Sequence, residues 1–148
     1  MVSGLWFIDF EKMENQNEIF NYKKLVAYQR AKEMVKEVYG LLKKIPREEQ
    51  YALCDQLRRA STSVTSNIAE GTNRQTYPDK IHFLEIAYGS LMEVHSQMDV
   101  ACDLGYILNE ELSHLEGTIV SVIKPLSGLR SSYLEKVRDP QVSIHHKP

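Results

Sequence analysis

The sequence predicts an all-α protein, built as an up-down-up-down antiparallel four-helix bundle. Apolar residues recur at helical spacing in four long segments, and no segment alternates with period two over a useful length. Only seven glycines and five prolines are spread over the 148 residues, which suits long uninterrupted helices. Short polar stretches join the four segments, so consecutive helices are expected to pack antiparallel.

Residues 1–21 precede the first periodic segment and are predicted to form a loosely ordered N-terminal arm. Its first ten residues are apolar, but they lack a basic leading segment and Asp9 interrupts them, so they make a poor signal peptide. Met13 is an alternative start, because the periodic pattern begins only after it. Whether residues 1–12 belong to the native product is left open.

The first predicted helix covers residues 22–45 and ends before Pro46, because proline disfavours helical geometry in the residue before it. Its core face consists of Tyr28, Ala31, Met34, Val35, Val38, Leu41, Leu42 and Ile45. Lys32, Lys36 and Lys43 fall on the opposite face of the helix.

The second predicted helix starts at residue 47 or 48 and ends at residue 70, with Gly71 expected to close it in a left-handed conformation. Its apolar stripe is Leu53, Leu57, Val64 and Ile68. Small hydroxyl residues crowd the stretch 56–71, although their side chains compete for backbone hydrogen bonds and weaken a helix. A face of small side chains lets another helix approach closely, so this stretch is interpreted as a packing surface, within the chain or between subunits.

The third predicted helix covers residues 78–104, and Gly105 is its stop signal. Gly89 lies in its middle, where glycine costs about 1 kcal/mol relative to alanine. This cost predicts that a neighbouring helix approaches closely at Gly89, with Ser90 and Glu93 on the same side.

The fourth predicted helix starts after Asn109 as N-cap, carries Glu110 and Glu111 in its first turn, and runs to about residue 137. Pro125 lies inside it and is expected to kink it. Residues 22–137 therefore form the bundle, and residues 138–148 are predicted to be a disordered tail.

Charge is unevenly distributed although the formal net charge is only −2. Residues 21–46 hold seven basic and two acidic residues, a net of +5, whereas residues 77–105 hold one lysine and five acids, a net of −4. Such asymmetry indicates either helices that attract each other or one basic and one acidic surface. No stretch approaches the roughly 20 apolar residues of a membrane span, so no membrane partner is expected.

No catalytic motif, cofactor site or metal site is predicted. Glu111-Leu-Ser-His114 and Asp79-Lys-Ile-His82 resemble the Glu-x-x-His element of di-metal bundles, but they would lie at opposite ends of the bundle. A nucleophile elbow and a glycine-rich phosphate loop are both missing from the sequence. Two cysteines, Cys54 and Cys102, are interpreted as free thiols in a reducing cytoplasm.

The basic residues are the remaining candidates for function. Arg58, Arg59 and Arg74 are the first choices for contact with nucleic acid, followed by Lys32, Lys36 and Lys43. One interpretation is a solvated lysine face with arginines paired to acids, and the other is a surface that contacts phosphates. Because no RNA-recognition aromatic motif is present, any binding is expected to involve the nucleic-acid backbone or to recognise the shape of the nucleic acid.

Several stretches together resemble a bacterial family of four-helix-bundle proteins that are encoded in intervening sequences of the 23S rRNA gene and are also described as small ribosomal proteins. They are YQRA at 28–31, VY at 38–39, IP at 45–46, QLRRA at 56–60, SNIAEG at 66–71, IAYGSLME at 86–93 and LGY at 104–106. The resemblance covers about residues 22–135, and Tyr77-Pro78-Asp79 departs from the family's usual pattern.

The family is similar in fold to the accessory variability proteins of diversity-generating retroelements, which form homopentamers that bind a reverse transcriptase and nucleic acid. The resemblance therefore implies a homopentamer with an accessory, RNA-binding and non-enzymatic role, whose partners are RNA, a reverse transcriptase or another RNA-associated protein. A protein–protein scaffold without a nucleic-acid role is the alternative. The candidate packing and interface residues are Ser63, Ser66, Asn67, Glu70, Gly89, Ser90 and Glu93.

Overall fold

A computed structural model describes residues 16–139, which contain helices and no strand. A short helix α1 (Gln16–Ile19) precedes four long ones, which are α2 (Val26–Leu42), α3 (Leu53–Thr72), α4 (Tyr77–Asp103) and α5 (Asn109–Arg138). Single 3-10 turns cover Asn21–Lys24 and Arg47–Glu49. The all-α prediction is confirmed, while the predictions for residues 1–15 and 140–148 lie outside the described residues.

The four long helices form a closed ring in which α3 packs against α2 and α4, and α5 packs against α4 and α2. Cross-helix contacts give the directions: Gln56 meets Gln97 while Ser63 meets Ser90, so α3 and α4 are antiparallel. Residues 95 and 116, and residues 85 and 130, pair in the same opposed order between α4 and α5. The predicted up-down-up-down bundle is confirmed.

One continuous core fills the space between the four helices. Its largest fully buried side chains come from every long helix and repeat at helical spacing: Met34, Val38, Leu57, Val64, Ile68, Leu84, Leu91, Val94, Met98, Leu115 and Val122. The positions on α2 and α3 match the apolar stripes predicted for the first two helices closely, because burial of one face per helix is what the 3.6-residue period reports.

The starts of α2 and α3 differ from the prediction. The helical conformation is interrupted at Leu25, which is extended (φ −68°, ψ 130°), and again at Ala52 (φ −117°, ψ −97°). Before the first break, the ring of Tyr22 packs edge-on against Tyr28, with centroids 4.9 Å apart. Helices α2 and α3 therefore begin at Val26 and Leu53, and the predicted starts at residues 22 and 47 or 48 are wrong.

The two glycines predicted as helix ends behave differently. Gly105 has φ +80°, and the bonds from Tyr106 N to Ala101 O and from Gly105 N to Cys102 O, each 2.9 Å, close α4 in a Schellman motif. Gly71 has no positive φ, and α3 continues to Thr72. The expected left-handed cap at Gly71 is therefore wrong.

Close packing explains why a glycine stands at position 71. A Cβ atom there would lie 3.0 Å from Phe83 Cβ and 3.1 Å from the backbone oxygen of Lys80. Gly71 is buried, so the missing side chain lets the start of α4 approach the end of α3.

Helix α5 begins one residue earlier than predicted and runs unbroken through Pro125. Its N-cap is Leu108, whose N–H donates to Glu111 Oε1 at 2.9 Å, whereas Asn109 Oδ1 accepts a bond from Cys102 Sγ at 3.1 Å. Asn109 therefore links α5 to the end of α4 and is not the cap.

Candidate functional site

An exposed lysine stripe runs along the outer face of α2. Lys32, Lys36 and Lys43 are all exposed and lie opposite the buried face of this helix, as predicted. The Lys32 ammonium lies 5.2 Å from the centre of the Tyr28 ring. Among residues 16–139, no carboxylate lies within ion-pair distance of these three ammonium groups. The stripe therefore presents positive charge to solvent.

Arg74 is held by groups of its own chain. Its Nη2 donates to Glu70 Oε1 at 2.7 Å, and its guanidinium lies 4.4 Å from the centre of the Phe83 ring. The side chain is 22% exposed. Its charge is thus neutralised by one acid while its plane covers an aromatic ring, an arrangement that joins the end of α3 to α4.

Arg58 and Arg59 are also engaged. Arg58 is half-buried and donates through Nη1 to the backbone oxygen of Gln50 at 3.4 Å, which ties α3 to the segment before it. Arg59 is exposed but pairs with Asp55 at 3.2 Å. These two arginines lie near the start of α3 and Arg74 follows its end, about 22 Å away at 1.5 Å per residue, so the structure does not bring the three together.

The regional charges lie on opposite sides of the bundle. The basic helix α2 packs against α3 and α5, and the acidic helix α4 packs against the same two helices from the other side. The basic helix and the acidic helix are therefore not neighbours, and the charge asymmetry does not attract them to each other. It gives the molecule one basic and one acidic surface, the second of the two alternatives.

Three of the candidate packing residues form a polar contact between α3 and α4. Ser63 Oγ and Ser90 Oγ are 2.9 Å apart, and Asn67 Nδ2 donates to Ser63 O at 2.8 Å and to Ser63 Oγ at 3.0 Å. Ser90 is buried, so the small hydroxyls are paired within the chain and allow the two helices to approach.

The other candidate packing residues, Ser66, Glu70, Gly89 and Glu93, face outward. A Cβ atom at Gly89 would meet no other atom within 4 Å among the described residues, so no helix of the same chain approaches it and that expectation is wrong within the chain. We call Ser66, Ile86, Gly89, Glu93 and Val100 the outer face of α3 and α4; Ile86 and Val100 are exposed large apolar residues of this face.

The Glu-x-x-His pattern on α5 belongs to no metal-binding cluster in the described part of the chain. Glu111 pairs with Lys44, and His114 contacts Glu37, so the Glu-x-x-His pattern on α5 is used in contacts with α2 and with the segment that follows it. No cluster of three or more His, Cys, Asp or Glu side chains that would suit a metal ion is found in residues 16–139. Burial raises the pKa of the Cys54 thiol and so disfavours the thiolate.

A groove of about 390 Å³ lies between α4 and α5, and Arg130 donates to Glu85 Oε1 across it through Nε at 3.1 Å and Nη2 at 2.7 Å. Its other walls are Leu84, Tyr88, Ile123, Leu126 and Ser127. The ion pair is internally matched, so the groove offers no unpaired charge to a ligand.

A second basic cluster, which the sequence analysis missed, lies where α4 begins and α5 ends. Lys80 and Lys136 each lie over a tyrosine ring there. The signal that points to it is a Tyr-x-x-Lys spacing that occurs twice, at residues 77–80 and 133–136.

The fold and these surfaces can be compared with known proteins. The family model of the 23S rRNA-intervening sequence protein matches residues 23–128 of the chain. The chain belongs to this family. The resemblance inferred from the sequence stretches is thereby confirmed, whereas the likeness to retroelement accessory proteins stays a prediction.

A solved structure from the S23 ribosomal protein family, a protein of unknown function from Bacteroides thetaiotaomicron, is similar to this intervening-sequence protein with a TM-score of 0.65. The two are 22% identical over 71% of this chain and 98% of that chain, a level at which the likeness concerns the fold alone. No curated protein matches the chain. Among residues 16–139, no helix combines the length and apolar character that a membrane span requires.

Proposed function

We propose that this intervening-sequence protein is a non-enzymatic, oligomeric accessory protein that binds RNA through its basic surface. The observation that carries the proposal is the lysine stripe of α2, whose three exposed ammonium groups have no carboxylate partner in the described residues. Unneutralised lysines release counterions when they contact phosphates, which is the main source of sequence-independent affinity for nucleic acid. The family's name, which refers to 23S rRNA, agrees with an RNA partner in the cytoplasm.

We place the lysines ahead of the arginines in this role. Arg59 and Arg74 already pair with Asp55 and Glu70, so a phosphate would have to compete with an existing carboxylate. Arg58 donates to the backbone of Gln50. The three arginines then hold α3 in place, and the stripe of Lys32, Lys36 and Lys43 contacts the RNA backbone over about 16 Å of helix.

Self-association is the second part of the proposal, and the outer face of α3 and α4 is its contact. This face combines small residues at Ser66 and Gly89 with exposed apolar side chains at Ile86 and Val100. A ring such as the homopentamer requires two different faces on each subunit, and the outer face of α3 and α4 supplies one of them, which leaves the lysine stripe of α2 exposed. An oligomer also carries one lysine stripe on each subunit, which multiplies the number of phosphate contacts available to one RNA molecule.

The RNA-binding part is tested by measuring the affinity for single-stranded RNA at several salt concentrations. Lys32→Gln/Lys36→Gln is expected to weaken binding and to reduce the log–log salt slope by about 1.4, at about 0.7 per phosphate contact. Adding Lys43→Gln removes about 0.7 more. The matched control is Arg30→Gln/Arg130→Gln, which removes two exposed cations that are already ion-paired. Wild-type protein without salt-dependent RNA binding refutes the proposal.

A protein–protein scaffold is the alternative, and the acidic side formed by α4 favours it, since such a surface repels RNA and suits a basic protein partner. A reverse transcriptase or another RNA-associated protein fits this description. An electrophoretic assay distinguishes the two functions. If the protein binds RNA, the wild type retards RNA and the lysine variant does not. If the protein is a scaffold only, neither protein retards RNA.

A further inference from the structure

The same side-chain pair occurs on two antiparallel helices at one end of the bundle. Tyr77 and Lys80 lie in the first turn of α4, and Tyr133 and Lys136 lie near the end of α5. The two rings have centroids 5.6 Å apart and are tilted by 44°. Lys80 Nζ lies 5.7 Å from the centre of the Tyr133 ring, and Lys136 Nζ lies 5.2 Å from that of Tyr77. Each lysine thus reaches to the tyrosine of the other helix, and we call these four residues the tyrosine–lysine clasp.

The positive charge of the clasp is not paired with an acid in the part of the chain that the structure describes. No carboxylate of the described residues lies within ion-pair distance of Lys80 or Lys136. Burial, and secondly the charge of Lys136, lowers the pKa of Lys80. Burial, and secondly Tyr77, raises the pKa of Tyr133, so this phenol stays neutral and supplies no counter-charge. Attraction to the ring faces orients the two ammonium groups but does not neutralise them.

A compact dianion satisfies this arrangement best. A phosphomonoester carries a charge of about −1.5 to −2 at neutral pH and three strong acceptor oxygens, which matches two ammonium groups. An internal phosphodiester carries a single charge and needs room for the strand on both sides. The clasp lies at the end of the bundle with Lys80 half-buried, which suits a terminal group that enters from one side.

We infer that the tyrosine–lysine clasp binds a phosphomonoester, and that its biological source is the 5′-phosphorylated end of an RNA strand. The choice of RNA rests on the function proposed above, whereas the affinity for a phosphomonoester does not. Tyr77 and Tyr133 position the lysines through their ring faces, and the lysines donate to the phosphate oxygens.

Both lysines also have a structural use. Lys80 Nζ donates to the backbone oxygen of Thr72 at 2.6 Å and so satisfies a carbonyl at the end of α3. Lys136 lies in the last turn of α5, where a cation is favoured by the helix dipole. A purely structural clasp predicts changes in stability without any preference for a phosphate, so the experiment measures that preference.

The probe is a short single-stranded RNA, labelled at its 3′ end, that carries either a 5′-phosphate or a 5′-hydroxyl. Fluorescence anisotropy is expected to show about tenfold tighter binding of the phosphorylated strand by the wild type. Lys136→Gln is expected to bring the ratio of the two affinities close to one. Lys124→Gln, which removes another exposed lysine of α5, is expected to leave the ratio unchanged.

A second arm titrates inorganic phosphate against chloride at equal ionic strength and follows backbone amide resonances. Shifts confined to residues 77–80 and 133–136, and lost in Lys136→Gln, are the expected result. Equal affinity of the wild type for both RNA strands overturns the inference and leaves RNA binding intact. If neither strand binds, the RNA function fails, and phosphate titration alone then decides whether the clasp is a phosphate site. Lys136→Gln is the decisive variant, because Lys80→Gln also removes the bond to Thr72.

Discussion

Two glycines of the bundle occupy opposite environments, although each lies within a helical pattern. Gly71 is buried where a Cβ atom would touch Phe83 and the backbone of Lys80, whereas Gly89 faces open space. The first glycine is required by packing inside the chain. The second has no such reason among the described residues, which is consistent with its proposed place in a contact between subunits.

Alanine at these two positions is expected to change stability in opposite directions. Gly71→Ala should lower the free energy of unfolding by about 1–3 kcal/mol, because the added methyl group overpacks the junction of α3 and α4. Gly89→Ala should raise it by about 0.5–1 kcal/mol, since alanine is the better helix former. Urea denaturation at a protein concentration where both variants are monomeric measures the two effects. Equal changes of one sign would contradict this account of the packing.

The sequence predicts the position of a side chain along its helix better than it predicts the partner of that side chain. Arg74 is predicted to follow a helix, but the position of the Phe83 ring beneath its guanidinium depends on how α4 folds back, and its pairing with Glu70 appears only in the structure. Ser63 and Ser90 illustrate the same point, since their hydrogen bond joins residues 27 positions apart. A helical wheel orders the residues of one helix around its axis and carries no information on which residues of a neighbouring helix they contact.

The first turn of α5 shows how an element is held at its start. Glu111 accepts a bond from the N–H of Leu108 and pairs with Lys44 beyond the end of α2. First the hydrogen bond with Lys44, and then that with the Leu108 backbone, holds the pKa of Glu111 below its ordinary value of 4.5. One carboxylate therefore caps α5 and connects it to the neighbouring segment.

The stabilising effect of Glu111 is expected to depend on pH. A carboxyl group with a lowered pKa in the folded state stabilises the protein above its unfolded pKa, and this contribution is lost as the pH falls through the folded value. The difference in unfolding free energy between wild type and Glu111→Gln should thus be present at pH 7 and shrink below pH 4.5. Glu110→Gln serves as control, because Glu110 shares the first turn but has no ion pair in the described residues. A difference that is the same at pH 7 and pH 3 would rule out this role.

Helix boundaries were predicted less well than helices. The stretches 22–25 and 47–52 contain ordinary helix formers, so nothing in their composition announces the breaks at Leu25 and Ala52. Gly105 was predicted correctly because the Schellman motif is local and needs only the residues around it. Gly71 is also a glycine near the end of a helix, but its role depends on its contact with α4. The sequence therefore predicted a left-handed cap there incorrectly.

The arrangement of the whole bundle places a basic helix and an acidic helix at opposite corners. Charge patterning along the chain indicated the two regions, but not whether they touch. Separation by α3 and α5 leaves both sides available for other molecules. The basic side is thereby left exposed for the proposed contact with RNA.

The outer face of α3 and α4 is tested by the oligomeric mass. Wild-type protein is expected to give five times the chain mass of 17.1 kDa in light scattering coupled to gel filtration. Val100→Glu places a charge on this face and should give the single-chain mass. Val120→Glu is the matched control, because Val120 lies on α5 and is 46% exposed against 48% for Val100. A wild-type mass of one chain at micromolar concentration would disprove the oligomer.

The sequence by itself determined the class of fold, the four helices, the core stripes and the family, because each depends on periodicity or on short local stretches. It also placed the α2 lysines on an exposed face, since a single helix suffices for that. Only the tertiary structure decided which basic residues are already paired, why Gly71 is a glycine, and that Lys80 and Lys136 meet over two tyrosines. These features join residues that are far apart in the chain, and their contacts form only when antiparallel helices pack in register.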